Sequence, residues 1–543
     1  MGQTVLFDGK LYTEPTVQAQ TIGGVNNTGA PSSFGNICII DTGIGGGFGG
    51  GVGCIDGGTG NSRQLSEFLQ EVNSTVEMKN FVKGGILWDI ADYIYNPSLN
   101  GNGATKVFIA RACSTIPATS SGTTTATDTI AIETKEEGLM CNGALDGSDL
   151  YYGYAWKLIA GTQNSSAVVM QLWRGTYRGA DSAGYYYDGQ DIATSAQAPL
   201  LVAQSSECTD LSELLTWAEN NQNFQKYFKW GATQSTSGAL VPADVATFAS
   251  FQLFAGGGES YSTSGTDACL AVMDALDNSI FLATESDANA TSTNNLKILG
   301  YINNNAEWKK FVVIGGGNDA SDFTTNSIAK ATTLNSQYAI LAHSGFKVPY
   351  VNNSAIMVDK SSLYMASLVA GRMAGFEPQV PLTFKNLRVG QMNQLLTESE
   401  RVNAIDHGVL HMRNVNGVGL VINQGINTLQ ANDFMINNDG TSPEISIERI
   451  KAQLNREITE GALQLFIGQN IGTVTSEDIR IYTKGYLTSK LAVAGQQDGL
   501  IVDFGNITVV RQGSTYYVTY EFQANSPINK IFFTGIIVDP SLL

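Results

Sequence analysis

Three histidines, His343, His407 and His411, are the only imidazole bases this chain offers. His407 and His411 stand at i, i+4 spacing, which on one helix face could present two nitrogens to a metal ion. Their flanks, DHGVLHMRNVNG, carry no HExxH glutamate and read as a helix ending in a turn, so no metal site is expected. A Ser-His-Asp triad built on His343 or His407 stays open to a hydrolase reading, but no GxSxG elbow occurs. Gly45, Gly47 and Gly50 have GxGxxG spacing after the strand-like NICIID. A dinucleotide site needs a helix to open there, and VGCIDGG is no helix start, so no cofactor is expected. FVVIGGG at 311–317 is a second strand–glycine turn, and the sole Gly-Lys pair, Gly9-Lys10, leaves no phosphate-binding P-loop. Glu136-Glu137 reads as solvated loop, and Tyr185-Tyr186-Tyr187 as an exposed hairpin or interface.

Composition narrows the function classes. The 543 residues are 43% hydrophobic and only 15% charged, against about 25% charged in an average protein. Acidic residues number 49 and basic ones 31, giving a net charge of −18. Nucleic acid and anionic membranes both need clustered Lys and Arg, so neither is an expected partner. No stretch approaches the roughly 18 apolar residues of a membrane span. Cys38, Cys54, Cys113, Cys141, Cys208 and Cys269 form no CxxC pair, which fits a reducing compartment without a zinc framework. MGQTVLFDGKLY lacks the basic start and apolar run of a signal peptide.

The elements that would position any site divide the chain into six segments. An extended arm spans 1–25 and an N-terminal part of the core spans 26–104. The latter holds the strand 36–41, a glycine-rich stretch, and helical patterning over 64–95 with Leu65, Phe68, Leu69 and Val72 on one face. Val107–Ala110 reads as a strand, the Ser/Thr tract 114–130 as a loop, and strands with no helices between them suggest a β-domain over 105–205. Strand–helix alternation marks an α/β layer over 206–380. An α+β domain over 381–525 carries helices over about 447–466 and from Ser476, the second entered through Thr475 and Asp478. Pro527 then sets off a C-terminal β-arm over 526–543.

Several stretches occur in a telling order. GGILWDIADYIYN precedes KVFIARA, whose strand closes on Arg111. ETKEEGLMCNGAL follows, and then LFAGGGESYSTSGTDACLAVMDAL with Gly256–Gly258 and Asp267. SSLYMASLVAGRMAGFEPQVPLTFKNL holds Ala370-Gly371, Ala374 and Pro381–Thr383, and VNGVGLVINQGINTL ends on Thr428-Leu429. Together these resemble the contractile tail sheath proteins of bacteriophages over most of the chain. The collinear set carries the resemblance, since no single motif is specific. One departure is Leu139-Met140-Cys141-Asn142-Gly143, where the family usually has a Gly-x-Trp-Gly-Asn-like turn.

The resemblance implies a multidomain α/β and α+β protein. It would have a β-sandwich insertion, a subtilisin-like α/β layer without a catalytic triad, and a C-terminal α+β domain facing a tail tube. It implies a structural, non-enzymatic role in a virion tail, assembled in the host cytoplasm. Six-fold rings of the chain would stack around the tube, meet baseplate and tail terminator proteins, and contract. A sheath of a phage-tail-like injection particle is the alternative within the same class.

The residues add a physical account of how such a polymer would hold. Terminal strands without an assured partner recruit strands from other chains. The candidate arms are Val5, Leu6, Phe7, Leu11 and Tyr12 at one end and Ile531, Phe532, Phe533, Ile536, Ile537 and Val538 at the other. Gly9, Gly23, Gly24 and Pro527 would be their hinges, letting arms stay bound while bodies rotate. Arg480 and Lys484, one helical turn apart on an acidic protein, are the candidate tube contact.

Overall fold

The computed structural model describes residues 5–7, 10–12, 35–42, 69–81, 86–98, 103–137, 141–146, 149–175, 199–261, 263–274, 276, 279–285, 291–304, 309–349, 357–430, 441–492 and 499–525. An eight-stranded sheet organises the core, in the order Gly419–Ile422, Val409–Val415, Ala339–His343, Phe311–Gly315, Ile280–Ala283, Asn36–Asp41, Lys106–Arg111, Leu69–Val72. The six inner strands run parallel, and each edge strand is antiparallel to its neighbour. Parallel sheets are covered on both faces, so their strands are apolar runs rather than alternating ones. NICIID obeys this: Ile37 and Ile39 enter one core while Cys38 and Ile40 enter the core on the opposite face.

The helices Ile86–Tyr95 and Ser362–Ala374 cover the first face, and all thirteen residues of the second are buried. Gly371 lets them touch, since a Cβ there would lie 2.5 Å from the Ile94 carbonyl oxygen. Helices Thr263–Met273 and Thr293–Asn304 pack on the other face. The glycines of FVVIGGG serve packing too: a Cβ on Gly315 would meet the Leu363 nitrogen at 2.7 Å.

Between Arg111 and Thr263 the chain leaves this sheet and returns. Two four-stranded antiparallel sheets fill the excursion. One contains Leu200–Gln204, Val168–Arg174, Tyr154–Ala160 and Gln252–Leu253. The other contains Phe228–Trp230, Thr129–Glu137, Cys113–Thr123 and Gly258–Tyr261. They share a core of Trp156, Tyr154, Phe228 and Phe254, and Trp156 Nε1 donates to Ser120 Oγ at 3.0 Å.

Several sequence expectations need correction. The β-layers extend to Tyr261, not 205, and the strand from Lys106 belongs to the central sheet. Residues 206–261 therefore pack with the β-layers, and the α/β core also draws on segments 26–104 and 381–525. Parallel strands pair over any sequence distance, so an α/β core need not be continuous in the chain. The Ser/Thr tract is largely the strand Cys113–Thr123. Its short side chains at Ala118 and Ser120 are buried, and β-branched threonines suit a pleated surface. Leu69–Val72 is an edge strand, not a helical face. Glu137 ends a strand instead of lying in a loop. Gly43–Gly60 and Tyr185–Tyr187 lie outside the described residues.

A fourth core belongs to the C-terminal unit, where Ile450, Leu454, Leu487, Leu500 and Ile501 meet. Its long helix, Ile445–Phe466, is buried over most of its first half, with Ile445 and Ala452 reaching the central core.

Candidate assembly surfaces

The C-terminal unit presents a hairpin of unusual openness. Ile501–Gln512 and Thr515–Ala524 pair antiparallel with each other. Beyond that pairing, the described residues contribute one bridge, Leu491 to Ile501. At ~3.3 Å per residue these strands are about 40 and 33 Å long. Among the described residues no further strand pairs with either outer edge, and an open strand edge is the feature that recruits further strands. Val502 (50% exposed) and Val510 (54%) project from the hairpin into solvent.

A tyrosine-rich floor holds the hairpin. Tyr520 and Tyr486 are partly buried against the core of this unit, and burial pushes both phenols well above their ordinary range. Tyr486 OH donates to Glu457 Oε2 at 3.1 Å, Tyr482 OH to the Ile458 carbonyl at 3.0 Å, and Tyr516 OH to the Val474 carbonyl at 2.8 Å. The helix Ser476–Ser489 begins as the sequence indicates. Thr475 Oγ1 accepts from the Asp478 backbone, and the Asp478 carboxylate accepts from the Thr475 nitrogen at 2.8 Å. The Thr475 hydroxyl, which also donates to this carboxylate at 2.7 Å, and after it the Thr475 backbone N–H hold the Asp478 pKa below its usual value.

The two basic residues of this helix differ. Arg480 forms a two-point ion pair with Glu477, at 2.7 and 2.6 Å, so it is no unpaired cation. The acid three residues upstream was the missed signal, since i, i+3 pairs face each other. Lys484 is exposed. Ile481 (58% exposed) on the same helix, and Leu465 (54%), Ile467 and Ile471 before it, are open to solvent, an apolar patch.

At the N-terminus Val5–Phe7 and Lys10–Tyr12 pair with each other, Leu6 opposite Leu11. The expected arm is thus a small hairpin, marginal on its own. Gly9, Gly23, Gly24, Pro527 and the arm Ile531, Phe532, Phe533, Ile536, Ile537 and Val538 lie outside the described residues.

The histidines do not assemble an open catalytic site. His407 caps the helix Glu398–Asp406, whereas His411 sits in a central strand opposite His343, so the i, i+4 pair shares no helix face. The turn at Gly408, with φ +71, separates helix from strand. Among the described residues no group of three His, Cys, Asp or Glu could hold a metal ion. His343 Nδ1 lies 2.9 Å from Ser327 Oγ, and its Nε2 lies 2.9 Å from Gln394 Oε1. Nε2 therefore carries the proton, and Nδ1 accepts from a serine hydroxyl that itself accepts from the Gly317 nitrogen at 2.7 Å. An amide stands where a triad would need a carboxylate. Ser327 and His343 are 0% and 1% exposed, respectively. The relay ties strand ends to the following loops.

Burial of these imidazoles has a measurable consequence. It lowers the His343 pKa and brings His411 down to about 4. An unfolded histidine titrates near 6.5, so between pH 6.5 and about 4 the unfolded chain binds the extra proton at His411, and at His343 over a window that also opens at 6.5 on the acid side. Their stabilisation is complete above pH 6.5 and is lost as pH falls through the folded value. Denaturant unfolding should show stability dropping by up to ~1.4 kcal/mol per pH unit per histidine. His411→Phe should flatten that slope; an unchanged slope would contradict the assignment.

With the geometry described, likenesses to known proteins take on meaning. The chain shares its fold with tail sheath proteins. The sheath tail protein of Desulfitobacterium hafniense superposes with a TM-score of 0.53 at 12% identity, covering 87% of this chain and 88% of that one. That of Listeria innocua gives 0.50 at 13% identity, covering 91% and 96%. In sequence, the tail sheath protein of Bacillus phage SP01 is 24% identical over 230 residues, 42% of this chain. That match spans 38% of the phage protein's length. No protein-family model matches the chain. The resemblance read from the collinear motifs is thus borne out in fold and in sequence.

Proposed function

We propose that this chain is the contractile sheath protein of a bacteriophage tail, a structural component and not an enzyme. It would polymerise as stacked six-fold rings around the tail tube and contract to drive the tube through the host envelope. One observation carries this reading: on a sheath-like fold, the C-terminal hairpin stands with open edges and pairs with no other strand among the described residues. The parallel sheet corresponds in this reading to the family's subtilisin-like layer. Ile531–Val538 of one copy adds to a hairpin edge of the next, and the Val5–Tyr12 hairpin contributes a second link.

Magnitudes show which part of the arm matters. Eight added residues make about eight hydrogen bonds at ~1 kcal/mol net each, while ordering them costs ~1–2 kcal/mol per residue. The backbone alone roughly balances. Association is decided by Phe532, Phe533, Ile536 and Ile537, each contributing ~1.5–3 kcal/mol when buried. The apolar patch around Ile481, with Lys484 at its rim, is the surface offered to the tube. Baseplate and terminator proteins would meet the two ends of the polymer, which is built in the host cytoplasm and resides in the virion tail.

Negative-stain electron microscopy of the purified full chain tests the proposal. Striated hollow tubes are the expected product. Monodisperse monomers at every concentration, with or without tube protein, would sink it.

A further inference from the structure

Three cations lie over two phenyl rings, Arg372 and Lys385 over Phe376 and Arg413 over Phe384. Arg372, only 5% exposed, stacks its guanidinium on Phe376, with Cζ 4.0 Å from the ring centroid. Its Nε and Nη1 are buried with no hydrogen-bond partner. The Lys385 ammonium stands 5.7 Å from the centre of the same ring. Arg413 stacks on Phe384 at 4.5 Å, and its Nε is also buried and unpartnered. Among the described residues none of the three has an acidic partner.

Two other buried arginines each have a partner inside the chain. Arg111 has Asp41 at 3.1 Å, and Arg449 Nη2 donates to the Met373 and Phe376 carbonyls at 2.8 Å each. Glu377, the acid next to Phe376, is engaged by Gln379 Nε2 at 2.6 Å. Buried guanidinium groups without counter-charge are costly unless something pairs with them.

The setting is exposed and firmly built. Phe384 donates its backbone N–H to Ile422 at 2.9 Å, and Ile422 donates back to Lys385 at 2.8 Å, so this segment borders the edge strand. Phe384 has φ +61 and remains 48% exposed. A bulky residue held in the left-handed region while facing water marks a place where strain is kept for a purpose.

We propose that the Arg372–Phe376–Lys385 cluster, rimmed by Arg413 on Phe384, is a socket for a carboxylate side chain of an adjacent copy of this chain. Charge selects the occupant: a copy presents 49 acidic residues against 31 basic ones, so a cationic socket on one body meets an excess of carboxylates on the next. The aromatic faces orient the cations and exclude water around the incoming acid. The proposal rests on the self-assembly argued above.

Zero-length carbodiimide coupling of the assembled full chain, with isotopically light and heavy copies mixed, provides the test. Mass spectrometry should find Lys385 joined to an Asp or Glu of a different copy. Lys385 left uncoupled in polymers, or joined only within its own chain, overturns the socket while leaving the sheath reading intact. A chain that never polymerises overturns both. Arg372→Leu and Lys385→Met should each leave the monomer's melting temperature no lower than the parent's, while raising the concentration needed for assembly about tenfold and weakening its salt dependence. Variants that assemble as the parent chain does would contradict the socket.

Discussion

Arg111→Met is expected to destabilise the folded chain by about 3–5 kcal/mol, because it strands a carboxylate inside the protein. Asp41 and Arg111 are register partners at the ends of neighbouring parallel strands. They are 1% and 2% exposed, and Arg111 Nε reaches Asp41 Oδ2 at 3.1 Å. Thr284 Oγ1 donates to the other carboxylate oxygen at 2.6 Å, which ties in a third strand. The Ala112 nitrogen donates to the Asp41 carbonyl at 2.9 Å, at the point where the chain turns away toward the β-layers. The pair therefore fixes where the excursion leaves the sheet. Chemical denaturation would show the loss, and replacing both partners together, Asp41→Val with Arg111→Met, should recover most of it. A loss under about 1 kcal/mol for Arg111→Met would remove the pair from this role.

Removing residues 531–543 is expected to abolish polymerisation and leave the monomer folded. Among the described residues, the buried side chains of the four cores come from residues 37–501. What the deletion removes is the apolar strand argued to settle on a neighbour's hairpin. Four large side chains at ~1.5–3 kcal/mol each amount to several powers of ten in association. Sedimentation of the truncated chain should therefore show monomers at concentrations where the full chain pellets, with an unchanged melting temperature. Polymers from the truncated chain would transfer the linking role elsewhere, first to the Val5–Tyr12 hairpin.

Much of the core was legible because burial on both faces leaves a plain mark. NICIID, KVFIAR, FVVIG and AILAH are apolar runs of strand length, and all four lie in the central sheet. A helix entry was legible where a side chain closes the first turn, at Thr475. The interleaving was not, since strand order depends on pairings up to hundreds of residues apart. Ile280 pairs with Ile37, for example. Leu69–Val72 misled because its apolar i, i+3 pair fits one helix face, and four residues are too few for the period of two of a strand to show. The strand Cys113–Thr123 was hidden by hydroxyls whose packing against Trp156 no local pattern reveals.

The surfaces were harder to read than the core. Glu477 neutralises Arg480, and that pairing was available in the i, i+3 spacing. The cations at Arg372, Lys385 and Arg413 carried no such signal. They stand outside i, i+3 or i, i+4 spacing, and only the fold sets Arg372 and Lys385 on one ring, Phe376, and Arg413 on Phe384. The hairpin was visible only as two strands; that no other strand of the described residues pairs with it follows from the fold.

Helical reconstruction of the assembled full chain by electron cryomicroscopy tests the central claim most directly. The account requires density for strands of neighbouring copies alongside Ile501–Gln512 or Thr515–Ala524, retained in both a long and a shortened lattice. A lattice in which both hairpin edges stay bare, or are covered by the chain's own residues, would contradict it.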